Sequence, residues 1–300
     1  ALAVGVITLA LVFEAARRIM GPALPLICGA FLAYALFGNH LPGALAHRGY
    51  AFSQVVDQLG FGTEGIYGIP TYVSSTYIFL FILFGAFLEQ AGMIRLFTDF
   101  AMGTVGHTKG GPAKVSVISS GLMGTINGSG VANVVTTGQF TIPLMKRFGY
   151  RADFAGGVEA TSSMGGQIMP PVMGAVAFIM AETINVPYVE VVKAATIPAL
   201  LYFASAFWMV HLEAGRMGLH GLPKSECPDA WAAVRRGWHL ILPLAALVWL
   251  LFSGYTPLFS GTVGLALTAI LILGAAIAAR LSAIALRFAF WIALGLASAA

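Results

Sequence analysis

The chain is 300 residues long, 58% hydrophobic and only 9% charged, with a mean hydropathy of +0.86. Soluble domains carry about a quarter charged residues, so this composition excludes a soluble globule. It fits a polytopic membrane protein whose core is the bilayer and helix–helix packing. The net charge of +4 would suggest nucleic acid in a soluble protein; here loop asymmetry accounts for it, and no nucleic-acid partner is expected. Cys28 and Cys227 lie far apart without a C-x-x-C or metal-ligand spacing, so they imply neither a disulfide framework nor a zinc site.

A membrane helix needs about 20 apolar residues. In chain order, the predicted spans are 1–13 (partial), 22–37, 69–88, a hairpin over 115–145, 154–181, 188–212, 238–253, 257–279 and a partial span from 283. The weaker segment 44–59, with Arg48 and Asp57 on it, reads as an interfacial or loop element, and 96–102 as a short amphipathic helix on a membrane surface. The chain starts inside an apolar run without a basic leader and stops inside another, which reads as a piece of a longer protein.

Lys and Arg orient the spans. With the loop 14–21 in the cytoplasm and the hairpin returning to its own side, 14 of the 16 Lys and Arg fall inside; only Arg48 and Lys193 fall outside. Cytoplasmic loops carry such an excess. If 115–145 crossed once, every later loop would invert, and Lys146, Arg147, Arg151 and the basic loop 214–236 would face out. The charges therefore predict a re-entrant hairpin opening to the cytoplasm. Its arms of about 12 to 15 residues reach roughly 18 to 22 Å, somewhat past the middle of a hydrocarbon core about 30 Å thick.

The hairpin carries no charge and breaks at Asn127-Gly128-Ser129-Gly130. Eleven Ser, Thr, Asn and Gln side chains lie between Ser116 and Thr141, heavy for a lipid-facing helix. Irregular backbone at membrane depth is tolerated only where protein or a water-filled cavity satisfies it. A broken tip offers carbonyls to a cation and a helix N-terminus to an anion. A plain packed hairpin, its hydroxyls bonded to its own backbone, is the bland alternative and leaves the polar tip unexplained.

A second irregular element follows within 154–181: Gly165-Gly166-Gln167-Ile168-Met169-Pro170-Pro171. Two prolines remove two donors and clash with the preceding turn, so this helix is predicted to be discontinuous. Directly after the hairpin, it reads as the second wall of one site. Glu159 sits about four residues inside this span. The bland reading has it snorkel to the cytoplasm; the functional reading makes it the group that titrates if coupling is to protons. Glu89 ends a span and is expected to pair with Arg95, and Glu182 is expected at the outer interface.

The Asn-Gly-Ser-Gly tip superficially suggests an intramembrane serine protease. That chemistry needs a histidine base at similar depth, and His211 and His239 sit at span ends. The chain is not expected to be an enzyme.

The stretches Gly124-Thr-Ile-Asn-Gly-Ser-Gly-Val-Ala-Asn133 and Thr137-Gly-Gln-Phe-Thr-Ile-Pro-Leu-Met145 resemble the first hairpin of the large membrane subunit of TRAP (tripartite ATP-independent periplasmic) transporters. Gly165–Pro171 resembles the discontinuous helix that follows it. Val131-Ala-Asn-Val-Val-Thr-Thr-Gly138 and 165–182 resemble more specifically the fused-permease branch, which works with a TAXI-type solute-binding protein. The resemblance runs from about Leu11 to Pro223.

The resemblance implies an elevator-type fold in a multi-pass protein of the bacterial inner membrane. It implies import of a small organic anion such as a carboxylate, delivered by a periplasmic TAXI-type binding protein. Sodium or protons would be the coupling ion, with no organic cofactor and no metal beyond that cation. Carried over by motif, Asn127, Gly128, Ser129, Gly130, Gly165, Gly166 and Gln167 would form a cation site. Substrate would touch Asn127, Ser129 and Asn133, with Pro170 and Pro171 shaping the break. The family tip usually reads Ser-Gly-Ser-Ser; here two of its hydroxyls are replaced, which favours ligation by backbone carbonyls. No counterpart of the family's second hairpin is found.

The expected fold class is therefore all-α: a polytopic membrane protein with a re-entrant helical hairpin and a discontinuous helix, the first half of an elevator-type ion transporter. The expected division is 1–43 as the end of small-subunit-like scaffold spans, 44–110 as a scaffold span with interfacial helices, and 111–187 as transport-domain elements. A connecting span and cytoplasmic loop follow at 188–237, then further spans at 238–300. The alternative reading is an ion channel or passive pore subunit, which would need a symmetric oligomer.

Overall fold

The computed structural model describes residues 2–280 and 291–292. Among the described residues every regular element is helical and there is no strand. Five helices among the described residues are long and apolar enough to cross a membrane: Ala23–His40, Ile69–Gln90, Tyr188–Arg216, Lys224–Phe252 and Pro257–Gly274. The all-α membrane fold expected from composition is the one observed. Apart from 291–292, the span expected from 283 lies outside the described residues. The chain divides into two compact units, Ala1–Ser75 and Thr76–Ala300.

The first unit holds α1 (Leu2–Met20), α2 (Ala23–Phe37), α3 (Phe52–Gly60) and α4 (Ile69–Val73). Here α3 packs across α1 through small residues, which let helix backbones approach closely. A Cβ on Gly5 would sit 2.6 Å from Val56 Cγ1, and one on Gly60 would sit 3.2 Å from Gly5 Cα. The segment read as interfacial thus contains a helix docked on α1, with Val55 and Val56 buried.

A π-helical turn, Ser74–Ile78, leads into α5 (Phe79–Gln90). The second unit continues with α6 (Met93–Val105), α7 (Gly111–Asn127), α8 (Gly130–Arg147), α9 (Ala152–Gly165), α10 (Ala175–Thr183), α11 (Tyr188–Arg216), α12 (Ala230–Phe252) and α13 (Pro257–Arg280). Its centre is the antiparallel pair α7/α8 with α9 laid against both. Gly124 and Gly166 are the closest crossing: a Cβ on Gly124 would lie 2.2 Å from Gly166 Cα. At the open end of the hairpin, away from its tip, Ala113, Val117, Met145, Ala155, Val158, Val210 and Ala214 form one buried apolar cluster across α7, α8, α9 and α11.

The segment 96–102 is not a separate short helix, and one of its faces is packed on protein. It belongs to α6, which buries Met93, Leu96, Phe97 and Ala101. One face lies along α12, where a Cβ on Gly237 would meet Leu96 Cδ1 at 2.0 Å and one on Gly103 would meet Pro228 O at 2.5 Å. Its apolar stripe looked like a membrane-facing one because a buried helix and a half-immersed one share the same periodicity. The break between α5 and α6, at Gly92 with φ +105, falls near the level of the hairpin tip: Asn127 of the tip touches both Gly85 and Glu89 on α5.

Candidate functional site at the hairpin tip

Two residues separate the arms. Gly128 ends α7 in the left-handed region at φ +58, the usual helix stop for a residue without a Cβ. Ser129 caps α8, its Oγ accepting the Ala132 amide at 3.3 Å. Asn127 Oδ1 accepts the Ser129 amide at 3.3 Å. The Asn127 side chain also donates from Nδ2 to Glu89 Oε1 at 3.1 Å. Glu89 therefore meets the tip, not Arg95, whose contact is Asp99 at 3.8 Å. The i,i+4 spacing on α6 favours that pair.

The predicted discontinuity is present. After α9 come a 3₁₀ turn, Gly166–Ile168, a turn over 170–172 that holds the cis Pro170–Pro171 bond, and Met173 in the left-handed region at φ +56 before Gly174. The freed carbonyls find partners: the Gly174 amide donates to Gln167 O at 2.7 Å. Tyr188 Oη, at the start of α11, reaches Pro171 O at 3.0 Å and also Val172 O. Tyr188 was missed by sequence reasoning, since nothing local ties it to the break; the signal was only that orphaned carbonyls need a donor.

Tip and break are in direct contact. A Cβ on Gly128 would lie 1.8 Å from Met173 O. One on Gly174 would lie 3.2 Å from Gly128 O and 3.3 Å from Gln167 Cβ, and one on Gly130 would lie 3.3 Å from Gln167 Nε2. The structure thus gathers Asn127, Gly128, Ser129, Gly130 and Gln167 within one small region, with Pro170 and Pro171 on the adjoining loop. Gly166 lies one turn lower, against Gly124 and the Asn133 amide.

Two expected residues face elsewhere. Gly165 is buried against α11, where a Cβ would meet Tyr202 Cε1 at 2.4 Å. Asn133 is fully buried and donates to Ser120 O at 2.8 Å, so it fastens α8 to α7 instead of facing the tip. A crevice of about 780 Å³ opens between α9 and α11, lined by Phe154, Thr161, Tyr202 and Glu213 among others, and no tip residue lines it.

Glu159 departs most from expectation. It does not snorkel; its side chain is fully buried. Oε2 accepts from Ser116 Oγ at 2.7 Å and from Thr141 Oγ1, and Oε1 accepts from Ser120 Oγ and Ser163 Oγ, both at 2.9 Å, and from Thr137 Oγ1. Gly138 makes room, since a Cβ there would stand 3.2 Å from Glu159 Cγ. Half of the Ser and Thr hydroxyls that looked like a polar lining for the tip, those of Ser116, Ser120, Thr137 and Thr141, form a shell for this carboxylate. Their spacing on α7 (116, 120) and α8 (137, 141), four apart on each helix face, was the legible signal.

Among the described residues no group of three or more His, Cys, Asp or Glu is placed to hold a metal ion. The chemistry available at the tip is that of main-chain carbonyls ending α7 and of the positive end of α8, with Glu89 as the adjoining charge.

The family model "Tripartite ATP-independent periplasmic transporter, DctM component" matches residues 7–294. The chain is 29% identical over 178 residues to the C4-dicarboxylate TRAP transporter large permease protein DctM of Pseudomonas aeruginosa, covering 59% of this chain and 41% of that protein. It is 28% identical over 178 residues to the sialic acid TRAP transporter large permease protein SiaM of Vibrio cholerae, with the same shares of 59% and 41%. It is 24% identical over 184 residues to the 2,3-diketo-L-gulonate TRAP transporter large permease protein YiaN of Escherichia coli, covering 61% of this chain and 43% of that protein. The matched region thus spans less than half the length of each of these relatives, all of which are permeases and not enzymes.

Proposed function

The chain belongs to the DctM-component family of tripartite ATP-independent periplasmic transporters, a multi-pass inner-membrane protein, and from that premise we propose that it is part of a permease that imports a small organic anion against its gradient by cation coupling. The observation that carries this reading is the contact between the Gly128 turn and the Met173–Gly174 break. Two interruptions of helix meet there, one ending in carbonyls and the other opening on a helix N-terminus. Discontinuous helices of this kind hold ions and anionic substrate groups in secondary transporters.

In this reading the tip enters from the cytoplasmic side, as the loop charges require. The cation rests on main-chain carbonyls of the tip and break, with Gln167 and Asn127 beside it. Sodium is the first coupling ion to test and protons the second. The substrate's carboxylate lies at the start of α8 near Ser129. The relatives named above handle C4-dicarboxylates, sialic acid and diketogulonate, and a small carboxylate fits that range. A periplasmic solute-binding protein, of the TAXI type by the resemblance of 131–138 and 165–182, delivers it.

The test is uptake by the full-length permease in proteoliposomes. Accumulation that needs both the purified binding protein and an imposed sodium or proton gradient is the expected result. Current or flux that runs without a binding protein would identify a pore instead and overturn the reading.

A further inference from the structure

We propose that Glu159 is a proton-binding site where α9 packs on the hairpin, and that its proton load decides how tightly the two arms and α9 are held as one body. The proposal deepens the transport reading by naming a second ionic site below the tip. Glu159 lies seven residues before Gly166 on α9, roughly 10 Å from the break at 1.5 Å per residue.

The first observation is the absence of a counter-cation. Among the described residues no Lys, Arg or His reaches ion-pair distance of Glu159. The charged groups on the surrounding helices are engaged or turned away. On α7, Lys114 Nζ contacts Thr108 Oγ1 at 3.3 Å and lies over the Phe207 ring. On α8, Lys146 and Arg147 are exposed at the open end. On α9, Asp153 pairs with Arg151. On α11, Glu190 pairs with Lys193 and Glu213 with Arg216, while the His211 ring lies tilted beside Trp208. An ionised carboxylate buried without a partner charge is costly, so hydroxyls alone must offset that cost.

The second observation is that the shell serves both protonation states. A hydroxyl carries one proton and two acceptor pairs. Ionised, Glu159 receives the hydroxyl protons of the shell. When a proton from water binds Oε1, the new O–H donates to Thr137 Oγ1. Thr137 then turns its own proton to Asn133 O, which lies 2.7 Å away. Thr141 has the same alternative in Thr137 O at 3.1 Å, and Ser119 and Ser162, which bond only main chain, are left out of the exchange. No group is orphaned in either state. A purely structural pin needs one arrangement; this shell has two.

The third observation is what the bonds join. Ser116 and Ser120 come from α7, Thr137 and Thr141 from α8, and Ser163 from α9 itself. Protonation turns charge-assisted hydrogen bonds from both hairpin arms and from α9 into neutral ones, which are roughly half as strong, so a proton taken up or released here changes the cohesion of the helices that carry the tip and the break.

The test uses the full-length permease. Infrared difference spectra on acidification should show a protonated-carboxyl C=O band, shifted in D₂O, that is lost in Glu159→Gln. The same band persisting undiminished in Glu159→Gln overturns the proposal. Should Glu159→Gln not fold, Ser116→Ala and Thr141→Val serve: each removes a donor to the ionised form, so the band's midpoint should move to higher pH, and an unmoved midpoint in both overturns it. In proteoliposomes the pH profile of uptake should flatten in Glu159→Gln; an unchanged profile counts against the proposal, because Gln keeps the hydrogen-bonding shape without titrating. If binding-protein-dependent uptake occurs but no Glu159 band exists, only this site falls. If the band is present but no gradient drives uptake, the transport reading falls and the proton site stands.

Discussion

Replacing Gly128 by alanine is the sharpest perturbation of the tip. At φ +58 any L side chain carries a left-handed penalty of about 1–2 kcal/mol. The added Cβ would stand 1.8 Å from Met173 O, where an ordinary contact is about 3.5 Å. The obstacle is main chain and not the end of a flexible side chain, so it cannot rotate away, and overpacking of this sort costs about 1–3 kcal/mol. The two together come to about 2–5 kcal/mol against the state in which tip and break are in contact. At tenfold per about 1.4 kcal/mol, that state falls roughly 30-fold to several-thousand-fold. The assay is initial uptake rate in proteoliposomes containing the full-length permease, with Gly218→Ala as control. Gly218 has φ +65 and no atom near the added Cβ, so it bears the backbone penalty alone, outside the hairpin. Uptake by Gly128→Ala within twofold of wild type would refute the claim that this contact is part of the transport site. Gly128→Leu should abolish uptake.

Three further outcomes are expected. Ser129→Ala removes the α8 cap, worth about 1 kcal/mol, so uptake should fall by less than tenfold and recover in Ser129→Asn; complete loss would show that Ser129 does more than cap. Gly165→Ala presses on Tyr202 and Phe203 and should destabilise by about 1–3 kcal/mol in thermal unfolding, and the same substitution should cost less in a Tyr202→Ala background; additive losses would show that Gly165 and Tyr202 do not share space. Tyr150, in the turn between α8 and α9, has a buried hydroxyl without a hydrogen-bond partner among the described residues, and burial, with the Glu213 carboxylate second, pushes it from 10 up to about 12. Between those values the unfolded chain loses the proton while the native one keeps it, so stability present below pH 10 should decline as pH rises towards 12. Tyr150→Phe should be at least as stable at neutral pH and lose less in alkali; a destabilised Tyr150→Phe would reveal a partner for the hydroxyl.

The sequence by itself determined the class and the positions of the irregularities. Low charge and long apolar runs leave only membrane helices available, because lipid cannot satisfy open backbone. Asn127-Gly-Ser-Gly130 and Gly165-Gly-Gln followed by Pro170-Pro171 break helices for local reasons, through φ > 0 and missing amide donors, and both breaks occur where they were expected. What only the tertiary structure decided is which polar groups face one another. The Ser and Thr residues at 116, 120, 137, 141 and 163 converge on Glu159 because α7, α8 and α9 cross at Gly124, Gly138 and Gly166, and no window of sequence contains three helices. Glu89 found Asn127 and not Arg95, and the break found Tyr188, for the same reason. Hydrogen-bond partners for buried groups are chosen by packing across the chain, whereas the need for a partner is already written in each residue.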